Sequence, residues 1–424
     1  MKRIACVALC GFVALAGISC RGKHGALRPE HPKWPLMFAN SPKPTKEQVA
    51  NGRKTADAVD EFAFHLARET ARQRPGGGFL VSPLSVATCH AMLLSGATGM
   101  TRKDLAAALA LGDPEPEAVD DGMFALAYQV THTDSRELQI ANAFFPVGPL
   151  KINRAFQNVL RQSYDADTIQ LDGVGPDSLA KVNGWVDDKT AGMIPKVLDH
   201  IDDQAVYLLA NAATFDGAWD TPFDEGDTRD APFTLSSGAN VQVPTMRLDE
   251  VDVGWCAQNG FAAVVIPYRA RNFTFVVLLP DRASNPSKVL SRLTRARWTT
   301  LLKDASYDEA KLSLPRFRFD GSYDLIPTMS SLGARRLFHD AELGGISDQA
   351  SNASVGQDVH ATHIEVDERG TRAAAATELD TKTDTTSPNP KDIKIDRPFL
   401  YAIVHKQTGT IVFLGVCMDP RQTR

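Results

Sequence analysis

The sequence predicts an α+β fold, and three observations lead there. Helical periodicity dominates the first half of the chain, and strand-like apolar runs dominate the second. No period of twenty to fifty residues recurs, which argues against a repeat architecture. At 424 residues, 43% of them hydrophobic, the chain has ample material for a large core. No Gly/Ser- or Pro-rich linker interrupts residues 55–366, so one large domain is expected over residues 53–424. The net charge of −5 offers no basic footprint for nucleic acid. Arg292, Arg295 and Arg297, the densest basic cluster, fall on a predicted helix and read as a solvated face.

The elements follow in order. Lys2 and Arg3 precede an uncharged, mainly apolar stretch over residues 4–18, too short for a comfortable membrane span and suited to an export signal. Gly17 and Ser19 ahead of Cys20 resemble a bacterial lipobox, with Gly17 in place of the usual Leu. A signal peptide over residues 1–20 would leave a lipid-modified Cys20 as the protein's membrane contact, giving a cell-envelope lipoprotein. Cleavage after Ala16 would instead give a secreted, extracellular protein. Residues 21–52, rich in Pro, Lys and polar side chains, read as a flexible tether. Beyond Cys6, Cys10 and Cys20 there remain Cys89, Cys256 and Cys417. An odd, widely spaced set is expected as small buried hydrophobes and not as a disulfide framework.

In the body, Val59, Phe62, Ala63, Leu66 and Ala67 form a helical stripe that stops at Pro75-Gly76-Gly77-Gly78. Residues 79–81 read as a short strand, and Ser82 caps a helix that has Pro83 in its first turn. Thr101 and Asp104 have capping-box spacing ahead of a helix over residues 105–111. Helical patterns recur at residues 117–130, 155–164 and 178–190. Strands are expected at residues 205–215, 261–268, 273–279 and 311–319. Residues 401–405 and 410–416 flank Lys406-Gln407-Thr408-Gly409 as a hairpin.

Enzymatic motifs are missing from the sequence. It holds no Gly-x-Ser-x-Gly, no phosphate-cradling Gly-rich loop, no His-Glu-x-x-His and no Cys-x-x-Cys, so neither catalysis nor a cofactor is expected. His360 and His363 come nearest to a metal pair. In a strand, i and i+3 point to opposite faces, so no shared metal is expected. Asp187-Asp188 and Asp202-Asp203 read as solvated carboxylates.

The most informative stretch begins at Glu368. Positions 371, 373, 375, 377, 379, 381 and 383 are Thr, Ala, Ala, Thr, Leu, Thr and Thr. Positions 372, 374, 376, 378, 380, 382 and 384 are Arg, Ala, Ala, Glu, Asp, Lys and Asp. Every charge falls on one parity, the pattern of a strand with one buried and one wet face. Yet four consecutive alanines favour helix, and residues 384–390 favour exposed loop. A loop patterned to enter a sheet suggests two structural states.

At these residues the chain resembles a serpin, the family of suicide protease inhibitors. Glu368-Arg369-Gly370-Thr371 resembles the family's hinge, with its small-residue run at Ala373, Ala374, Ala375 and Ala376, then Thr377. Asp396-Arg397-Pro398-Phe399-Leu400 resembles the segment that closes the reactive loop. Ser82-Pro83-Leu84-Ser85 resembles the buried Ser-Pro-x-Ser turn. Asn211, Phe215-Asp216-Gly217-Ala218-Trp219 and Pro222-Phe223 resemble the Asn…Phe-x-Gly-x-Trp-x-x-Pro-Phe block. Val243-Pro244-Thr245-Met246, Leu314-Pro315-Arg316-Phe317, Ser322-Tyr323-Asp324-Leu325 and Phe413-Leu414-Gly415 follow in family order. The motifs span residues 55–420. Gly78 departs from the pattern, standing where the family usually has Asn.

The resemblance implies a serpin fold: a helix-rich N-terminal half packed on large mixed and antiparallel sheets, with an exposed reactive-centre loop at about residues 368–395. It implies a monomer that traps a serine, or cysteine, endopeptidase as an acyl-enzyme. The alternative is a non-inhibitory member acting as a binding or chaperone-like module. Family spacing from Glu368 places the scissile bond at Asp384–Thr385, with Lys382–Thr383 as runner-up. His360 resembles the histidine that hydrogen-bonds interior Asn and Ser, here Asn211, Ser82 and Ser85, as a sheet-opening cluster. Trp219 is similar to the tryptophan beneath the sheet at the loop's entry.

Overall fold

Thr45 opens the first long helix through a reciprocal cap: its Oγ1 accepts from Gln48 N (3.2 Å), and Gln48 Oε1 accepts from Thr45 N (2.9 Å). The structure, a computed structural model, describes residues 37–371 and 390–422. Helix α1 (Lys46–Gln73) leads into β1 (Phe79–Val81), α2 (Pro83–Leu94), α3 (Gly99–Ala108) and α4 (Pro116–Thr131). Then come β2 (Leu138–Pro146), α5 (Arg154–Tyr164), β3 (Asp167–Thr168) and α6 (Pro176–Lys189). The strand-rich part holds β4 (Tyr207–Phe215), β5 (Gly217–Ala218), β6 (Arg229–Thr234), β7 (Asn240–Gln258), β8 (Phe261–Pro267) and β9 (Phe273–Pro280). After α7 (Pro286–Leu290) and α8 (Arg295–Asp304) come β10 (Ser306–Pro315), β11 (Phe317–Asp324) and the short α9 (Ile326–Met329). The chain closes with β12 (Val355–Val366), β13 (Gly370–Thr371), β14 (Lys391–Lys394), β15 (Phe399–His405) and β16 (Ile411–Cys417).

Among the described residues the strands form two sheets. The larger runs β1-β16-β15-β9-β8-β7-β10-β14, with β6 on β7; the other runs β3-β2-β4-β12-β13-β5, with β11 on β12. The first is mostly antiparallel, whereas the second joins β4 and β12 in parallel, so the sheets are mixed as expected. Helix α2 is buried along its whole length, and large aromatics such as Phe62, Phe64, Phe144 and Trp298 fill the core. Cys89, Cys256 and Cys417 are buried and free, in keeping with their expected role as hydrophobes.

Three expectations need correction, and two long strands were not expected at all. Residues 46–52 belong to α1 rather than to a tether, and Met37 and Phe38 are already buried. The first turns of α1 are mostly polar, so the apolar stripe appears only later. Helix α3 starts at Gly99, with Thr101 inside it. Its first turn is capped from afar by Glu342 Oε2, which accepts from Met100 N (2.6 Å) and Thr101 N (3.2 Å). The run at residues 311–319 is two strands broken after Pro315. Strands β2 and β7 went unpredicted; in β7 most side chains are exposed or half-buried, and pairing with β6, β8 and β10 on both edges sustains it.

Two buried carboxyls make stability pH-dependent. Asp60 Oδ1 accepts from Ile411 N (2.8 Å), and burial pushes its pKa up to about 7, against that bond and the charge of Arg295. Burial likewise pushes Asp120 to about 6 despite its bonds to Tyr164 and Ser95. Both values lie above the ordinary 3.8, so the folded state favours the proton. That stability is fully present below pH 3.8 and is lost as pH rises through about 6 and 7. Asp60→Asn is expected to flatten most of this slope, read as the thermal midpoint between pH 4 and 8. An unchanged slope would place the titration elsewhere.

Candidate functional site

Strands β4 and β12 run side by side in parallel, with His360 opposite Asn211 and His363 opposite Thr214. Above that point the two part. Strand β13 enters the gap, antiparallel to both neighbours: Thr371 pairs with Val366 of β12 and Gly217 of β5, and Gly370 with Ala218. Strand β5 follows β4 after a one-residue break at Asp216 and carries on its side of the seam.

The turn that delivers β13 is held at every residue. Asp367 N donates to Gly370 O (2.9 Å), and Asp367 Oδ1 accepts from Arg369 N (2.9 Å) and Gly370 N (3.3 Å). Glu368 is 1% exposed. Its carboxylate accepts from Arg316 Nε (2.8 Å) and Thr228 Oγ1 (2.5 Å), and Arg316 Nη2 lies 2.6 Å away. Trp219 binds the same turn twice, through N to Arg369 O (2.9 Å) and Nε1 to Asp367 O (2.8 Å). Its ring stacks on Tyr268 at 4.9 Å, and the Tyr268 hydroxyl meets Thr371 Oγ1 at 2.5 Å in a fully buried contact. Gly217 is required here, since a Cβ would come within 2.6 Å of the Phe215 ring.

Lower on the seam, Ser82, Ser85, Asn211 and His360 come together with two changes of detail: Ser85 meets Asn211 rather than His360, and Ser82 reaches His360 through its backbone. Ser85 Oγ and His360 Nδ1 both meet Asn211 Oδ1, at 3.0 and 2.5 Å. The backbone N–H of Ser82, not its hydroxyl, donates to His360 Nε2 (3.0 Å). The Ser82 hydroxyl instead donates to Val412 O (2.7 Å) and accepts from Ser85 N (3.4 Å) at the start of α2. Burial, helped by the charge of His90, holds His360 down to about 3. The ring is therefore neutral, donating from Nδ1 and accepting at Nε2.

That tautomer predicts acid sensitivity. The folded-state value lies below the ordinary 6.5, so the cluster's contribution is complete above pH 6.5 and is lost as pH falls toward 3. His360→Phe is expected to abolish this acid-side loss. It should also lower stability at pH 7.5, by about 1–3 kcal/mol for each buried partner left unsatisfied. Thermal midpoints at pH 4.5 and 7.5 test both effects.

The remaining sites divide cleanly. His360 and His363 point to opposite faces, His363 Nδ1 meeting Asp320 Oδ1 at 2.5 Å. Gly78 stands where a Cβ would come within 2.9 Å of Val416 O, so the Asn of the family pattern has no room without a shift. Cys20, Ala373, Ala374, Ala375, Ala376, Lys382, Thr383, Asp384 and Thr385 lie outside the described residues. Sequence reasoning missed Tyr268, Thr228 and the role of Arg316. Only Arg316 had a signal, its place in the Leu-Pro-Arg-Phe block.

A family model described as serpin (serine protease inhibitor) matches residues 57–420. Alpha-1-antiproteinase of Rattus norvegicus is 31% identical over 381 residues, covering 88% of this chain and 91% of that protein. Alpha-1-antitrypsin 1-4 of Mus musculus is 30% identical over the same length and shares. Among solved structures, the thermophilic serpin tengpin in its native state aligns at TM-score 0.79 and 27% identity, covering 86% of this chain and 94% of that one. Human thyroxine-binding globulin shares the fold at TM-score 0.81 and 23% identity, covering 88% and 100%.

Proposed function

Because the chain belongs to the serpin family, we propose that it is a suicide substrate, which traps a serine or cysteine endopeptidase by inserting its cleaved loop between β4 and β12. The observation that carries this reading is β13. It is already a strand, antiparallel to both neighbours, seated at the mouth of the seam that a longer strand would enter. Thr371 also sets the side-chain parity. Its hydroxyl is buried against Tyr268, so odd positions beyond it would face the interior. Those are Ala373, Ala375, Thr377, Leu379, Thr381 and Thr383, while Arg372, Glu378, Asp380 and Lys382 would stay in water.

The protease's nucleophilic Oγ or Sγ attacks the carbonyl carbon of the scissile bond, proposed as Asp384–Thr385 with Lys382–Thr383 as runner-up. The C–N bond breaks, the new amino terminus leaves with a proton, and the acyl group stays on the protease. Residues 371–384, freed at their C-terminal end, zip downward past the Asn211–His360 contact. Fourteen extended residues span roughly 46 Å, enough to carry the acylated protease along the domain before water hydrolyses the ester or thioester. Glu368, Gly370 and Thr371 act as hinge, the Ser82, Ser85, Asn211 and His360 cluster as the gate, and Trp219 as the floor under the entry.

Small side chains at residues 373–376 weigh against the non-inhibitory alternative, because nothing bulky or charged on the inward parity opposes entry. The rest of the reading comes from the sequence: a monomer working without cofactor, exported, and tied to a membrane through lipid on Cys20 unless cleavage follows Ala16. Mixing the chain with proteases that cut after Asp/Glu, Lys/Arg or small residues tests the function. A band of summed mass that survives denaturing electrophoresis is expected from at least one, with mass spectrometry of the released peptide fixing the bond. Loop cleavage by the whole panel without such a band would overturn the inhibitor reading.

A further inference from the structure

Helix α2 makes a second connection to β12, unlike the first in kind. His90 sits between two acceptors: its Nδ1 is 2.9 Å from Val86 O and its Nε2 is 2.7 Å from Asp358 Oδ2. Both His90 and Asp358 are fully buried. A neutral ring has one N–H and cannot donate at both nitrogens, so beside an ionised Asp358 the geometry calls for an imidazolium. Asp358 Oδ1 has no hydrogen-bond partner among the described residues, which leaves His90 as the group that meets its charge. Asp358 and His360 share a face of β12, two residues apart, so this pair lies on the same seam as the neutral cluster.

We infer that His90 and Asp358 form a charged latch across the β4–β12 seam, and that this latch sets how fast the sheet opens to take up a strand. The inference rests on the insertion reading above. Helix α2 packs against β4 and β2, on the β4 side of the seam, and against β16 of the other sheet. A strand entering the seam displaces β12 from β4 by about 4.8 Å. The cluster's neutral hydrogen bonds break at modest cost in that movement. The His90–Asp358 contact must separate two opposite charges inside the protein, and it resists more strongly.

The latch also makes opening sensitive to base. Burial pulls the His90 pKa down, but the charge and hydrogen bond of Asp358 and the Val86 carbonyl outweigh it, so the ring titrates above its ordinary 6.5. The other titratable groups facing the pair change little in that range. Burial pushes Cys89 on α2 well up and Tyr323 on β11 to about 12. His360 stays neutral, and burial raises Asp324 on β11 above its ordinary 3.8. Loss of the His90 proton leaves Asp358 without its partner charge and frees β12.

The test follows uptake of a synthetic peptide of residues 371–384 by the chain with its own loop intact, between pH 6.5 and 9. The parent is compared with the double variant His90→Phe, Asp358→Ala, which removes both charges and so spares the fold a buried unpaired one. The parent is expected to take up peptide faster as pH rises. The double variant should be about 10- to 100-fold faster at pH 6.5 and flat with pH. Equal rates with the same pH profile would overturn the latch and leave insertion standing. No uptake by either protein at any pH would overturn the latch together with the insertion reading.

Discussion

Thr371→Arg is expected to abolish the trapped complex while leaving the loop as cleavable as before. Thr371 is fully buried between β12 and β5, with its hydroxyl against Tyr268 and the Trp219–Tyr268 stack beside it. A guanidinium there has no carboxylate to meet among these contacts, and a buried unpaired charge costs several kcal/mol. The hinge strand is therefore expelled, and the first step of the zipper stalls. Proteolysis needs only an exposed loop, so it continues and the acyl-enzyme hydrolyses. Stoichiometry should rise from near one inhibitor per protease to unlimited turnover of the variant. Trapping by Thr371→Arg at the parent's stoichiometry would mean that β13 is not where insertion begins.

Nicking the loop without trapping anything is expected to raise heat stability into the hyperstable range, above about 90 °C. In the intact protein the seam below His363 is closed by the direct β4–β12 pairing, and among the described residues only Gly370 and Thr371 have entered. A strand extended from them would gain backbone hydrogen bonds on both edges and bury an uncharged face over roughly 46 Å. The intact state is then held by kinetics, with the uncut tether preventing the descent to the more stable form. A nicked chain that melts with the intact one, within a few degrees, would mean that no such reserve exists. Thr371→Arg should lose most of the gain, which ties the two predictions to one step.

Part of the candidate site was legible in the sequence. Thr371, on the uncharged parity, is buried, and the blocks holding Asn211 and Trp219 lie at the β4–β12 pairing and against the turn before β13. The Ser82 contact was named correctly as a residue but not as an atom, because a motif cannot distinguish a backbone N–H from a hydroxyl. Strand β7 was hidden by its polarity; its sequence neighbours β6 and β8 and the more distant β10 hold it. The His90–Asp358 pair was equally invisible. Its members lie 268 positions apart, and neither belongs to a motif that points to the other.

The most direct measurement is the structure of the loop-nicked chain. One additional strand is expected, running from Thr371 between β4 and β12, antiparallel to both. Asn211 and His360 should no longer touch, and the odd positions from Ala373 onward should face inward. A nicked chain with His360 still opposite Asn211, and β4 still paired to β12, would contradict insertion.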